Sequence, residues 1–201
     1  MASAFKAAYS VAGAGLMLVG FGFILAGIAS LFPSFGMTLL GLVLDIVGLV
    51  LFFIEWSRLR SEERRLSAYG AGLYILAAIV SLFTGAFLLT INFTAHSLFH
   101  SSSSPLGAAL QAVGDAFFGI LLYLAFLLFP YGFARREEKT MLLVGFTGGL
   151  IVSLILNPIA IGGGLYNITS ISPLEGLVTD IVSLIFGVSY IVIGNNVRIR
   201  G

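Results

Sequence analysis

The sequence predicts an all-α membrane protein, a polytopic bundle of six transmembrane helices that forms a single domain over residues 1–201. Hydrophobic residues make up 59% of the chain and charged residues only 9%, against roughly 25% charged residues in soluble domains. Continuous apolar stretches of about 20 residues recur, which is the length that a helix needs to cross a bilayer. Barrel strands would instead give short segments of alternating hydropathy.

Prolines, charged segments and polar segments separate the six predicted spans. Because proline fixes φ and lacks a backbone donor, Pro33 and Pro130 are expected to end the helices before them, and Pro158 to break the last turn of span five. Charged segments at 57–67 and 134–140, and polar segments at 92–105 and 162–173, supply the other boundaries. The spans are predicted at about residues 7–31, 35–54, 69–91, 106–129, 141–161 and 174–194.

The basic residues all fall on one side of this predicted layout. The ten Lys and Arg residues lie before span one, in the two charged segments or after span six. Because cytoplasmic segments carry an excess of Lys and Arg, we expect a multi-pass protein of the cell membrane with both termini in the cytoplasm. The opposite side carries two N-x-S/T patterns, at Asn92 and Asn167, which are candidate glycosylation acceptors or chance triplets in polar loops.

Three aspartates interrupt the apolar runs of the even-numbered spans. Asp45 lies in the run LVLDIVGL, Asp180 in the similar run LVTDIVSL, and Asp115 in the looser copy AVGDAFFG, with Gln111 one helical turn before it. A charged Asp at mid-helix costs about 2.5 to 3.5 kcal/mol on insertion scales. No Lys or Arg lies within a predicted span to pair with one. The carboxyls must therefore be protonated and hydrogen-bonded, hydrated in a cavity, or bound to a cation or to a partner subunit.

A glycine-leucine register before each aspartate suggests a threefold repeat of helical hairpins. The separations from Gly15 to Asp45, from Gly72 to Asp115 and from Gly149 to Asp180 are 30, 43 and 31 residues. Such a repeat would place the three aspartates at similar depth on helices that run in the same direction. The alternative is that biased membrane composition produces the similarity.

Small residues share helical faces with the aspartates. Small side chains let helices approach each other closely in lipid, so these faces are expected to meet other helices. The candidates for helix packing are Gly41, Gly48, Gly176, Ser183 and Gly187 beside the aspartates, and Gly145 and Gly149 in span five.

Several classes of function are excluded by composition. The chain has no cysteine, which removes disulfides, thiolate metal sites and cysteine nucleophiles. No histidine lies within a predicted span, since His96 and His100 both follow span three, so bis-histidine haem and intramembrane serine-histidine catalysis are not expected. The net charge of +1 argues against nucleic acid as a partner. We therefore expect neither an enzyme nor a bound cofactor or metal.

Two functions remain compatible with these residues. The first is a non-catalytic integral membrane subunit, which would be a scaffold or accessory component of a larger complex or a homo-oligomer. Its partners would be the lipid bilayer and other membrane subunits or copies of itself. The alternative is a small proton- or cation-linked channel or transporter whose polar pathway is formed by Asp45, Asp115, Asp180 and Gln111.

In span number, size and loop character, the chain resembles the small six-span membrane proteins that are common in archaea, including those found beside respiratory complexes of acidophiles. The resemblance implies a membrane helix bundle and assigns no role to any residue.

Overall fold

The computed structural model describes residues 2–31, 35–99, 105–159, 161 and 172–200, with side chains at 6–29, 35–37, 39–84, 109–159, 161 and 173–200. This part of the chain is almost entirely helical, and six of its helices are long and apolar enough to cross a membrane. The elements are α1 (Ala2–Leu31), α2 (Phe35–Ile54), a short 3-10 turn (Trp56–Arg58), α3 (Ser61–Phe99), α4 (Pro105–Tyr131), α5 (Arg136–Ile151) continued by a π-helical turn (Val152–Leu156), and α6 (Ser172–Arg200). The all-α, six-helix part of the prediction is confirmed.

Apart from α2, which matches its predicted bounds, most helices are longer than the predicted spans. Helix α3 begins at Ser61, inside the charged segment, and continues through Asn92 to Phe99, so residues 92–99 of the polar segment predicted at 92–105 are helical. Helix α6 continues through the basic tail to Arg200. Hydropathy marks only the part of a helix that suits lipid, whereas a helix goes on satisfying its own backbone groups beyond that part.

The prediction that Pro158 breaks the last turn of span five is wrong. The π-helical turn Val152–Leu156 precedes this proline, and residues 157–159 are helical again. The backbone N–H of Asn157 donates to Val152 O, five residues back. A π turn changes the register of the backbone hydrogen bonds, and such turns are a known way of fitting a kink or an irregularity into a helix. Pro130 likewise lies inside the last turn of α4, which runs on to Tyr131.

The helices pack in the spatial order α2, α1, α6, α5, α4, α3, each along the next. Helix α1 therefore lies between α2 and α6, and the first and last helices of the chain are neighbours. In the described residues, α2 packs along α1 and α3 packs along α4, but α2 and α3 do not pack along each other. The two ends of the series thus stand on either side of a gap, and the cavity described below lies behind this gap.

Glycines at seven-residue spacing form the contact between α1 and α6. The antiparallel helices pair Gly13 with Gly194, Gly20 with Gly187 and Gly27 with the backbone of Asp180. A Cβ atom on Gly20 would lie 2.6 Å from Gly187 O, so the two backbones touch without room for a side chain. Close backbone approach of this kind is how helices pack tightly in lipid.

The contact between α1 and α2 is built in the same way. Gly15 meets Gly48, and Gly22 meets both Gly41 and the carboxyl group of Asp45. A Cβ atom on Gly48 would lie 2.6 Å from Gly15 O. Helix α1 therefore presents one glycine series to α6 and a second series to α2.

The other predicted packing residues fall into two groups. Those with a helix contact are Gly187 and Ser183, against α1, Gly145, against Phe186 of α6, and Gly149, against Tyr123 of α4. Gly176 differs, because no heavy atom of the described residues lies within 4 Å of the position that its Cβ would take. Gly176 lies one helical turn before Asp180 in α6. Because Asp180 already meets Gly27, close to the last residue of α1, Leu31, little of α1 is left for Gly176 to contact.

Hydrogen bonds join several helices at the end of the bundle that carries the basic segments. The hydroxyl of Tyr9 in α1 donates to the carboxylate of Glu63 in α3. Asn196 in α6 donates to Glu138 in α5, and Arg200 Nη1 donates to Phe133 O at 3.3 Å. The structure thus gathers the basic segments at one end, and the assignment of this end to the cytoplasm stays a prediction.

Candidate functional site

A cavity of about 220 Å³, which we name the Asp45 cavity, is enclosed by residues of α1, α2, α3, α4 and α6. Six of its lining residues are aromatic, namely Phe23, Phe53, Tyr74, Phe126, Phe129 and Tyr190. Asp45 is the one acidic residue in the lining, and no basic residue takes part in it. The described residues thus combine a mostly apolar, aromatic wall with a single carboxyl group, a composition typical of ligand pockets.

The carboxyl group of Asp45 is held between α2 and α1. Its Oδ1 atom is buried and has no hydrogen-bond partner among the described residues. A Cβ atom on Gly22 would overlap Oδ1, so only glycine leaves room for the carboxyl group at this level of α1. A buried polar atom without a partner is costly, so this carboxyl group differs from the hydrogen-bonded polar groups elsewhere in the bundle.

The aromatic wall is fixed by its own packing. The Phe23 ring packs edge-on against Phe126 at a centroid distance of 4.6 Å and against Tyr190 at 5.4 Å. The Tyr190 hydroxyl donates to Phe126 O at 2.9 Å, which joins α6 to α4. Phe129 stacks on the Tyr190 ring with a centroid distance of 6.5 Å and an angle of 7°. The wall is therefore ordered by contacts within the bundle.

Asp115 lies in a different environment. The side chain of Gln111, one turn earlier in α4, lies beside its carboxyl group, and Glu175 in α6 lies within electrostatic reach. Neither Asp115 nor Gln111 lines the Asp45 cavity. Asp115 and its acidic neighbour Glu175 therefore lie away from the cavity.

Asp180 lies in a third environment. It is buried, with 8% of its surface exposed, where α6 crosses α1 beside Gly27. In the seven-residue glycine series of this crossing, Asp180 occupies the place where a third glycine of α6 would stand. Like Asp115, it does not line the Asp45 cavity. The three aspartates therefore occupy separate helix contacts.

Neither glycosylation candidate has a side chain that the structure describes. The backbone of Asn92 belongs to α3, whereas Asn167 lies outside the described residues. Within the part of the chain that the structure describes, no group of three or more His, Asp or Glu side chains is arranged to hold a metal ion.

Sequence reasoning identified Asp45 but missed the aromatic residues around it. Their signal in the sequence is weak, because the 18 phenylalanines and seven tyrosines are spread over all the spans. Only the order of the helices brings Phe23, Tyr74 and Phe126 together with Asp45. The glycines at 13, 20 and 27, seven residues apart, are the sequence signal of the α1–α6 contact.

Comparison with known proteins returns no relative: no family model matches the chain, and no curated protein or solved structure matches it. The resemblance in layout to archaeal membrane proteins therefore gains support only from the six apolar helices.

Proposed function

We propose that the chain is a non-catalytic integral membrane protein that serves as a structural or accessory component of a membrane assembly, with copies of itself or other membrane subunits as partners. The one-sided attachment of α2 is the main support. Among the long helices of the described residues, α2 packs along α1 alone, and only 18% of its span is buried, close to the 17% of the α3 span at the other end of the series. By contrast, 44% of the α1 span and 39% of the α6 span are buried.

The side of α2 that points away from α1 is a continuous apolar surface. We name it the outer α2 face, and it consists of Leu39, Val43, Ile46, Val50 and Ile54, all of them exposed. These residues lie opposite Gly41 and Gly48 on the helix, at the spacing of a single stripe. In an assembly, a further helix would pack on this stripe.

The arrangement of polar groups also supports a structural role. The three aspartates of the membrane-spanning helices occupy separate environments. Three hydrogen bonds each join two helices, namely those from Tyr9 to Glu63, from Ser67 to Phe129 O and from Tyr190 to Phe126 O. Hydrogen bonds between helices in lipid add stability to a bundle.

Single cysteines test the proposal directly, because the natural chain has none. Val43→Cys and Val50→Cys place a thiol on the outer α2 face, and Leu143→Cys and Val144→Cys place one on exposed positions of α5 as matched controls. If copies of the chain meet at this face, we expect oxidation in native membranes to give a disulfide-linked dimer at the α2 positions only. If a different subunit covers the face, we expect the α2 cysteines alone to be protected from reaction with maleimide. Equal behaviour of both pairs, together with purification as a lone monomer, would contradict the proposal.

The second candidate is a proton- or cation-linked channel or transporter, which is favoured by the exposure of Asp45 to a cavity. Reconstituted protein carrying Asp45→Asn, Asp115→Asn or Asp180→Asn separates the possibilities. A pathway of three carboxyls requires each variant to lose flux, whereas transport through the Asp45 cavity requires loss in Asp45→Asn alone. Absence of flux in the natural protein eliminates this candidate.

A further inference from the structure

The Asp45 cavity has an unbalanced charge environment. The lining contains one carboxyl group, that of Asp45, and no Lys, Arg or His. One oxygen of this carboxyl group, Oδ1, is buried against Gly22 of α1 without a hydrogen-bond donor among the described residues. A positively charged group in the cavity would supply the counter-charge that the lining lacks. Charge complementarity therefore favours a cation over an anion in this cavity.

The remaining lining indicates what kind of cation fits. Inorganic cations such as Na⁺, Mg²⁺ or Ca²⁺ require several oxygen ligands, and the described wall offers one carboxyl group and two tyrosine hydroxyls, one of which already bonds to Phe126 O. Six aromatic rings surround the space instead. Faces of aromatic rings attract organic ammonium groups, and such sites are built from a few rings around the cation.

The entrance of the cavity lies at the gap between α2 and α3. Three lining residues are exposed, namely Phe53 of α2, at 40%, and Tyr74 and Ile75 of α3, at 47% and 60%. They flank the gap where these two helices do not pack along each other. Since Tyr74 and Ile75 lie well inside the apolar span 61–84, the opening faces the apolar layer of a bilayer. A ligand that enters there needs an apolar body.

We propose that the Asp45 cavity binds a small organic ammonium ion with an apolar body, which enters from the bilayer between α2 and α3. The ammonium group pairs with the Asp45 carboxylate and lies against the aromatic wall, and the apolar body fills the rest of the cavity. This site does not depend on the assembly role proposed above, since the outer α2 face points away from α1 and the cavity lies on the flank of α2 that carries Asp45, Leu49 and Phe53.

Gly22 is the positioning residue of this site. Because a Cβ atom there would overlap Asp45 Oδ1, a side chain at position 22 must displace the carboxyl group. Gly22→Ala changes the position of the charge without removing it, whereas Asp45→Asn removes the charge without changing the shape of the side chain.

Equilibrium binding of radiolabelled benzyltrimethylammonium to the purified full-length protein in detergent tests the proposal. We expect saturable binding by the natural protein and a loss of about tenfold or more in affinity for Asp45→Asn. Asp115→Asn carries the same substitution in a separate environment and is expected to bind like the natural protein. Thermal unfolding of each variant shows whether it is folded.

Two further comparisons separate charge recognition from apolar filling. Neopentylbenzene, in which carbon replaces the nitrogen, is expected to compete weakly in the natural protein and to be insensitive to Asp45→Asn. Tyr74→Leu is expected to weaken binding of the cation severalfold, with Tyr69→Leu as the control, because Tyr69 is exposed on α3 outside the cavity. If Asp45→Asn proves unstable, loss of cation binding is measured instead in Tyr74→Leu, which removes a ring of the wall, and in Gly22→Ala, which displaces the carboxyl group.

The proposal is overturned if the natural protein shows no saturable binding of the cation. It is also overturned if Asp45→Asn and Asp115→Asn weaken binding equally, or if the neutral isostere competes as well as the cation binds. Failure of the cysteine experiment on the outer α2 face leaves these outcomes unchanged, so the two proposals are tested independently.

Discussion

Gly20 of α1 and Gly187 of α6 touch backbone to backbone, since a Cβ atom on Gly187 would lie 2.8 Å from Gly20 O. We expect Gly20→Ala and Gly187→Ala each to destabilise the bundle by about 1–3 kcal/mol, because the added methyl group must push α1 and α6 apart. The measurement is unfolding in mixed micelles as a function of denaturing detergent.

Gly72→Ala is the matched control for these substitutions. Gly72 also lies within a membrane-spanning helix, but no heavy atom of the described residues lies within 4 Å of its Cβ position. Its replacement is expected to be neutral or to stabilise α3 by up to about 1 kcal/mol, since alanine favours helix more than glycine does. Equal destabilisation by all three changes would show that the glycines act through helix flexibility rather than through close packing.

The hydrogen bond from Tyr9 to Glu63 joins α1 to α3, two helices that otherwise make little contact in the described residues. We expect Tyr9→Phe to lower the free energy of unfolding by about 1–3 kcal/mol, because it leaves the buried Glu63 carboxylate without this donor. Tyr69→Phe removes a hydroxyl from an exposed position and should have no measurable effect. Identical unfolding curves for the two variants would contradict this role.

Glu138 organises the start of α5 and its contact with α6. It is 4% exposed, accepts a hydrogen bond from the Arg135 backbone N–H at 2.6 Å, and accepts another from the Asn196 side chain. Glu138→Ala is expected to cost about 1–3 kcal/mol more than Glu137→Ala, since both remove a carboxylate from the first turn of α5 but only Glu138 is buried and bonded. Thermal unfolding of the two variants measures the difference.

The orientation of the bundle is open to a labelling experiment. With a membrane-impermeant maleimide, Ser61→Cys and Thr140→Cys are expected to react only from the cytoplasmic side, because both lie beside basic segments. Ser102→Cys, in the predicted outer segment, should react only from the other side. The reverse pattern would invert the topology and leave the helix packing unchanged.

The six spans were predictable because hydropathy over about 20 residues is a local property of the sequence. Their ends were not, since α3 and α6 continue through Arg- and Glu-containing turns whose backbone bonds hydropathy does not register. The π turn before Pro158 was equally hidden, because a proline reveals a missing donor but not how the preceding turn adapts.

The candidate site was predictable only in part. Asp45 could be singled out as a carboxyl in an apolar run, and so could Asp115 and Asp180, but nothing in their local sequence distinguishes a cavity from a helix contact. That distinction depends on which helices are neighbours. The similar runs around Asp45 and Asp180 have different surroundings because one lies at the free flank of α2 and the other at the α1–α6 crossing.

The pairing of α1 with α6, which are far apart in the sequence, has a consequence for biogenesis. During synthesis α1 and α2 can join as soon as both are inserted, and α3 with α4 likewise, whereas the other glycine series of α1 has no partner until α6 leaves the ribosome. Contacts between distant parts of a chain form late and slowly. A ribosome-bound intermediate that lacks α6 should therefore hold the α1–α2 pair only loosely associated with α3, α4 and α5, and insertion of α6 should join these two parts in one late step.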